Sequence, residues 1–222
     1  MAALGRALGA GELPRRAVSR LLEATGGNPL YCRAILEETV AGGAGLDGGE
    51  LRVPRSVAGV VLSRVGALSP AARELVAAAA VLGRRCELAA AAALAGLDDP
   101  LPTLGEALNA GILAEQPGGA AAGIGFTHLL VQRAVYEDLS PAGRRLLHER
   151  AVGLVDRRRA LGHRVAAATG PDEELAADLE AAGREAAGLG RAAQAAARLA
   201  QAAAVSGEPA AADRRLWTPW RS

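Results

Sequence analysis

Gly111 to His128 reads GILAEQPGGAAAGIGFTH. Two short β-compatible runs, GILAEQ and GIGFTH, flank PGGAAA, whose proline and glycines cannot continue a strand. That pattern is a hairpin with a loose tip. On both sides of it the apolar residues return at helical spacing. One small hairpin set among helices makes the fold class mainly α.

Downstream, LLVQRAVYEDL (residues 129–139) is helical again. The tripeptide LSP at 139–141 opens a further helix, expected to run to about Arg159. AVGLVD (151–156) resembles a strand ending in an acid, but it continues the helical pattern and is read as helix. The remainder is alanine-rich and amphipathic, with helices expected near 173–187 and 192–205. DRRLWTPWRS (213–222) breaks the pattern and holds both tryptophans, Trp217 and Trp220. It reads as a truncated or out-of-frame end and is expected to be disordered.

Upstream, a first LSP at 68–70 places Ser69 as an N-cap and Leu68 as a staple for a helix ending at Gly83. CELAAAAALAG (86–96) reads as a short helix, and DDP (98–100) caps another that stops at Gly111. Pro54 starts a helix bearing Val57, Val60, Val61 and Val65. Pro14 starts the first helix, which Gly26 stops. In ATGGNPLYCRAI (24–35), Asn28 is then an N-cap and Pro29 the first residue of the next helix. AGGAGLDGGELR (41–52) is a glycine-rich loop. Three helices, a hairpin and a following helix over about 69–139 give the order of a winged helix. The tail is helical hairpins of the kind that begin a repeat array.

Bulk properties narrow the function. The chain has 222 residues and a net charge of +1, so bulk charge draws it to no polyanion. No apolar run of about eighteen residues lacks a charge, so no membrane span is expected, nor does the N-terminus read as a secretion signal. Cys32 and Cys86 stand singly within expected helices and read as reduced core thiols of a cytoplasmic protein. His128, His148 and His163 show no metal spacing. No lysine occurs anywhere. A P-loop, GxxxxGK[ST], needs its lysine to reach the β- and γ-phosphates, so this chain contains none. No nucleophile–base pair or paired carboxylates stand out, and the chain is not expected to be an enzyme.

Taken together, TGGNPLY, VPRSVAGVVLSRVGALSPAARELVAAAAVLG, ALNAGILAEQ and GFTHLLVQRAVYEDLSPAGRRLLHERAV resemble the STAND class of regulatory NTPases. The nearest form is the large ATP-binding transcriptional regulators of the LuxR family, with their bacterial AAA-type relatives. The likeness covers about 8–155 in the family's order and spacing. It implies that residues 1–50 are the C-terminal part of a helical lid and 51–140 a winged-helix-like domain. Residues 141–208 would begin TPR-like repeats, and 209–222 would be a disordered tail. The family's P-loop core and terminal DNA reader are missing from this sequence, so the resemblance implies a non-catalytic fragment of a signal-transducing ATPase.

The resemblance also names site residues. Pro29, with Asn28 before it, would pack near the adenine of ATP or ADP, though only in an intact parent; the isolated chain is expected to hold no cofactor. Without the resemblance, the two are simply an N-cap pair. His128 matches the winged-helix histidine that senses the diphosphate of ADP. Its other reading is a histidine capping the helix at Leu129. Arg133 and Tyr136 fit the family's H…R…Y helix, Tyr136 as a core residue, while His148 is expected at a surface or interface. The expected partner is the ATPase core of a parent or another protein. The rival function is a stand-alone helical adaptor binding a protein through its alanine-rich helices; an in-frame or frameshifted P-loop coding region upstream would discriminate against it.

The second helix of the helix-turn-helix, in DPLPTLGEALNAG (99–111), carries Asp99 and Glu106 and no arginine. Phosphates would be repelled there. Fluorescence anisotropy with duplex DNA at low salt is expected to show no saturable binding. Tight binding that weakens steeply with salt would overturn that expectation.

Overall fold

The computed structural model describes residues 14–42, 53–116 and 123–217. The expected hairpin tip at 117–122 and most of the expected loop at 41–52 lie outside the described residues. The described residues hold twelve α-helices and three strands, a mainly α fold. Their contacts divide the chain into two compact units, 1–140 and 141–222. The expected lid piece and winged helix therefore share one unit.

In the first unit, α1 (Arg15–Thr25) and α2 (Pro29–Gly42) form a helical pair, followed by α3 (Arg55–Gly66). The winged-helix portion is α4 (Pro70–Leu82), β1 (Arg85–Glu87), α5 (Leu88–Ala95), α6 (Leu101–Asn109), β2 (Leu113–Gln116) and β3 (Gly123–Phe126). The caps expected at α4 are present: Ser69 Oγ accepts from Ala72 N at 3.2 Å, with Pro70 at the start of the helix. The strands form an antiparallel sheet in the order β1-β3-β2, with Cys86 opposite Ile124 and Leu113 opposite Phe126.

β1 corrects the expected single helix over residues 86–96. Its three residues alternate exposed, buried, exposed, so Cys86 points inward from a strand and not from a helix. Three residues are too few for a period of two to register in the sequence.

The helix after the hairpin, α7 (Leu129–Asp138), organises this unit. Leu130, Val131, Ala134 and Val135 are buried, and the helix packs on α1, α3 and α4. Gln132 Nε2 donates to the Ala80 carbonyl of α4 at 2.7 Å. The C-terminal end of β3 is held from both sides. Thr127 N bonds to the Ile112 carbonyl at 3.1 Å, and Phe126 N to the Arg84 carbonyl at 3.1 Å.

The second unit contains α8 (Pro141–Ala151), α9 (Arg157–Ala167), α10 (Glu173–Gly188), α11 (Ala192–Ala204) and α12 (Pro209–Trp217). The continuous helix expected over 141–159 is broken. A 3-10 turn at Val152–Leu154 ends α8, and Asp156 caps α9 by accepting from Arg158 N and Arg159 N at 3.0 and 3.1 Å. The aspartate sits where a cap satisfies free N–H groups, which outweighs the apolar periodicity around it.

The tail expected to be disordered is helical through Trp217, and residues 218–222 lie outside the described residues. Charge holds α12 in place. Arg215 meets Glu173 at 2.9 Å and Glu180 at 3.2 Å on α10, and also bonds to Ser206. Arg215 and Glu180 are 12% and 18% exposed, so that pair is shielded and holds more than a surface pair would, while Glu173 stays open to solvent.

The core of this unit is thin. Leu161, Leu175, Ala176, Leu179, Ala202 and Val205 form it. Alanine removes little apolar area from water, at about 25 cal/mol per Å², so dispersion at close approach carries more of the stabilisation. Gly183 is the point of closest approach: a Cβ there would lie 2.9 Å from Leu199 Cγ and 3.4 Å from the Ala195 carbonyl oxygen. Gly162, in α9, has nothing within 4 Å of such a Cβ.

These two glycines make a matched test. Gly162→Ala is expected to stabilise by about 0.5–1 kcal/mol through helix propensity. Gly183→Ala gains the same propensity but overpacks against Leu199, costing about 1–3 kcal/mol, and is expected to be net destabilising. Urea melts of the two variants beside the parent chain check the opposite signs.

Candidate functional site

The candidate residues Asn28, Pro29 and His128 come from sequence segments a hundred positions apart, and the fold sets His128 against Gly26 and Tyr31, which flank the Asn28-Pro29 pair. Their meeting begins with the turn between α1 and α2. Asn28 N bonds back to the Thr25 carbonyl at 3.1 Å, and the two residues between, Gly26 and Gly27, have φ of +60° and +80°. Positive φ at both central positions is the I′ geometry, which glycine adopts at no steric cost. A side chain in the left-handed region costs roughly 1–2 kcal/mol at each position. That accounts for the paired glycines of TGGNPLY.

Thr25 locks the turn from inside. It is fully buried, and its hydroxyl donates to the Leu21 carbonyl at 2.6 Å. A hydroxyl has one proton, so at its other two contacts it accepts. These come from Gly27 N at 3.2 Å and the Cys32 thiol at 3.1 Å. Cys32 is thus a buried, reduced thiol on α2 that secures the end of α1. Both cysteines are free and buried.

Asn28 Oδ1 accepts from Leu30 N at 3.0 Å, and the Asn28 carbonyl accepts from Cys32 N at 3.0 Å. Asn28 therefore caps α2, and its carboxamide oxygen is already engaged. Pro29 is exposed, as is Leu30 at 68%.

His128 is the N-terminal boundary residue of α7, in extended conformation, and its side chain makes no cap hydrogen bond. Its carbonyl begins the helix instead, accepting from Val131 N at 3.1 Å. The ring lies edge-to-face with Tyr31, centroids 5.3 Å apart at 87°. A Cβ on Gly26 would sit 2.9 Å from His128 Nδ1. The imidazole thus occupies space that only glycine leaves open. Of the two readings from sequence, capping by the His128 side chain is not what the ring does. Burial, and secondarily the Arg84 guanidinium, hold His128 below the ordinary histidine value. The ring is therefore neutral at pH 7, with one nitrogen a donor and the other an acceptor.

Glu106 also has a structural task. Its carboxylate accepts from Ser69 N at 3.0 Å and from Ser69 Oγ at 2.9 Å, tying α6 to the start of α4. Asp99 is turned to the N-terminus of its own helix, where Oδ1 accepts from Leu101 N at 3.1 Å.

His148, expected at a surface or interface, is buried. It is 8% exposed and pairs with His163, 7% exposed, at an Nδ1–Nδ1 distance of 2.8 Å. The sequence conceals this pair. Fifteen residues along an unbroken helix span about 22 Å, and only the break at 152–156 folds α9 back on α8.

Two grooves mark the second unit. One of about 360 Å³ is lined by Arg157, Arg158, Leu161 and Arg198, and another of about 480 Å³ by Arg145, Glu149 and Arg164. Neither involves the candidate residues. No group of three metal-ligating side chains occurs among the described residues, and no helix among them is long and apolar enough to cross a membrane. Comparison with known proteins returns no match to a family model, a curated protein or a solved structure.

Gly26→Ala and Gly27→Ala separate backbone strain from crowding. Each is expected to cost about 1–2 kcal/mol for the left-handed conformation. Gly27→Ala meets nothing nearer than Leu22 Cδ2 at 3.9 Å, so it should leave His128 undisturbed. Gly26→Ala should also push the imidazole off Tyr31, seen as a change in the His128 ring resonances. Equal His128 spectra in the two variants would contradict the geometry.

Proposed function

We propose that this chain is the regulatory, non-catalytic segment of a nucleotide-switched signal-transduction ATPase, of the LuxR-type transcriptional regulator kind. The observation that carries the proposal is the meeting of the GGNP turn with His128. The sequence resemblance assigns an adenine contact to the first and a diphosphate contact to the second. Separate roles at distant sites would make the resemblance incoherent; a turn whose Gly26 abuts the His128 ring fits one nucleotide.

The surface chemistry beside the turn supports the same reading. Leu22 and Leu30 are 43% and 68% exposed, next to exposed Pro29. Apolar side chains on both sides of a rigid turn form a surface suited to a protein core or an adenine face. Neutral in the chain alone, His128 can donate to a phosphate oxygen, and a diphosphate beside it would offset the cost of protonating the ring. The lid and winged helix would close on the core with ADP and reopen with ATP, and the population shift would be the output.

The isolated chain is expected to release no phosphate from magnesium-ATP; magnesium-dependent turnover would overturn the proposal. In the chain joined to its P-loop core, Pro29→Ala and His128→Ala are each expected to weaken ADP retention about tenfold, or roughly 1.4 kcal/mol. A bound diphosphate favours protonated His128, so retention in the parent should tighten as pH falls from about 7 to 6, and His128→Ala should remove that dependence. Nucleotide affinity unaffected by either substitution would leave the chain an adaptor, with its helical hairpins as the binding part.

A further inference from the structure

We propose that the buried His148–His163 pair is an acid-released clasp holding α8 to α9 at the start of the second unit. The inference is independent of the nucleotide reading, since it involves neither the turn nor His128.

The geometry allows one proton between the two rings. The Nδ1 atoms are 2.8 Å apart, with ring centroids at 5.0 Å and 44°. At that distance one Nδ1 carries hydrogen and donates, and the other has none and accepts. The two histidines are thus opposite tautomers. A first added proton goes to the Nε2 of the donor ring, which carries no hydrogen in that tautomer, and the shared hydrogen bond survives. A second must go to the accepting Nδ1. Two N–H groups on two cations then face each other, and the contact has to open.

The surroundings oppose even the first proton. Burial comes first in depressing both rings, His148 down to about 4. Positive charge follows. Arg144 lies one turn before His148 on α8, and Arg159 one turn before His163 on α9. Two aspartates on neighbouring segments are held by arginines. On α10, Asp178 takes Arg164 at 2.6 Å and Arg157 at 3.5 Å; before α10, Asp172 takes Arg164 at 3.7 Å. Asp156 caps α9. The other charged groups on the α8 and α9 faces are Arg145, Glu149, Arg150 and Arg158. Glu149 is the single acid among them, and it lines the groove with Arg145 and Arg164.

The sign follows from linkage. Both folded-state values lie below that of an unfolded histidine, near 6.5. The unfolded chain therefore binds more protons below that pH. The stability from the clasp is complete above about 6.5 and drains away as pH falls towards 4. The loss approaches a two-proton dependence, because opening charges both rings.

The test follows the histidine ring resonances of the full chain by NMR from pH 7.5 to 4.5, beside thermal melts over the same range. His148 and His163 are expected to take up protons together, well below an unfolded histidine, while backbone shifts within residues 141–167 move with them and melting temperature falls. His163→Gln, whose amide can bond to His148 but does not ionise, should raise the proton affinity of His148 about tenfold and reduce the dependence to one proton. Independent titration of the two rings near 6.5 in the parent chain would overturn the clasp, whether or not the variant folds. So would an unchanged His148 titration in a folded variant.

Discussion

An absent side chain at Gly26 governs the first unit. The turn between α1 and α2 needs two consecutive left-handed residues, and the His128 imidazole needs the space beside the first. Glycine meets both demands at once. The helical pair is thereby fixed against the end of β3 and the start of α7, and α7 carries that placement into α3 and α4. Thr25 and Cys32 secure the turn from the inside with one proton each. The same arrangement leaves Pro29 and Leu30 at the surface, while Tyr31 and Cys32 in the same helical turn are buried.

Much of this unit is legible in the residue string because its signals are local. Ser69-Pro70 and Asn28-Pro29 state helix starts within two residues, and the glycines at 26, 83, 96 and 111 state ends. The hairpin shows in the change of period after Gly111. What is not legible depends on distant partners. β1 is a strand only because β3 lies beside it, and Arg85-Cys86-Glu87 alone has no period to read. The contact of His128 with Gly26 and Tyr31 belongs to the same class: each residue announces a turn or a cap, and nothing in the spacing announces that they touch.

The second unit misleads for a different reason. Alanine and arginine fit a helix almost anywhere, so the break at Val152–Leu154 hides within a favourable composition, and Asp156 marks the restart only in retrospect. α12 is masked by its own composition: the tryptophans break the apolar pattern, and the two glutamate partners of Arg215 lie 35 and 42 positions earlier. Helical propensity was informative about which residues coil and silent about where the helices turn back.

The carboxylate of Glu106 has an implication for how such a chain can change over generations. On the helix that other winged helices lay into a nucleic-acid groove, it works as a strut to Ser69 at the head of α4. Replacing it with a basic residue would remove a repulsion and cut a brace in the same step. Any mutational path from this scaffold to a groove-reading one must cross a less stable intermediate unless a second anchor for α4 arises first.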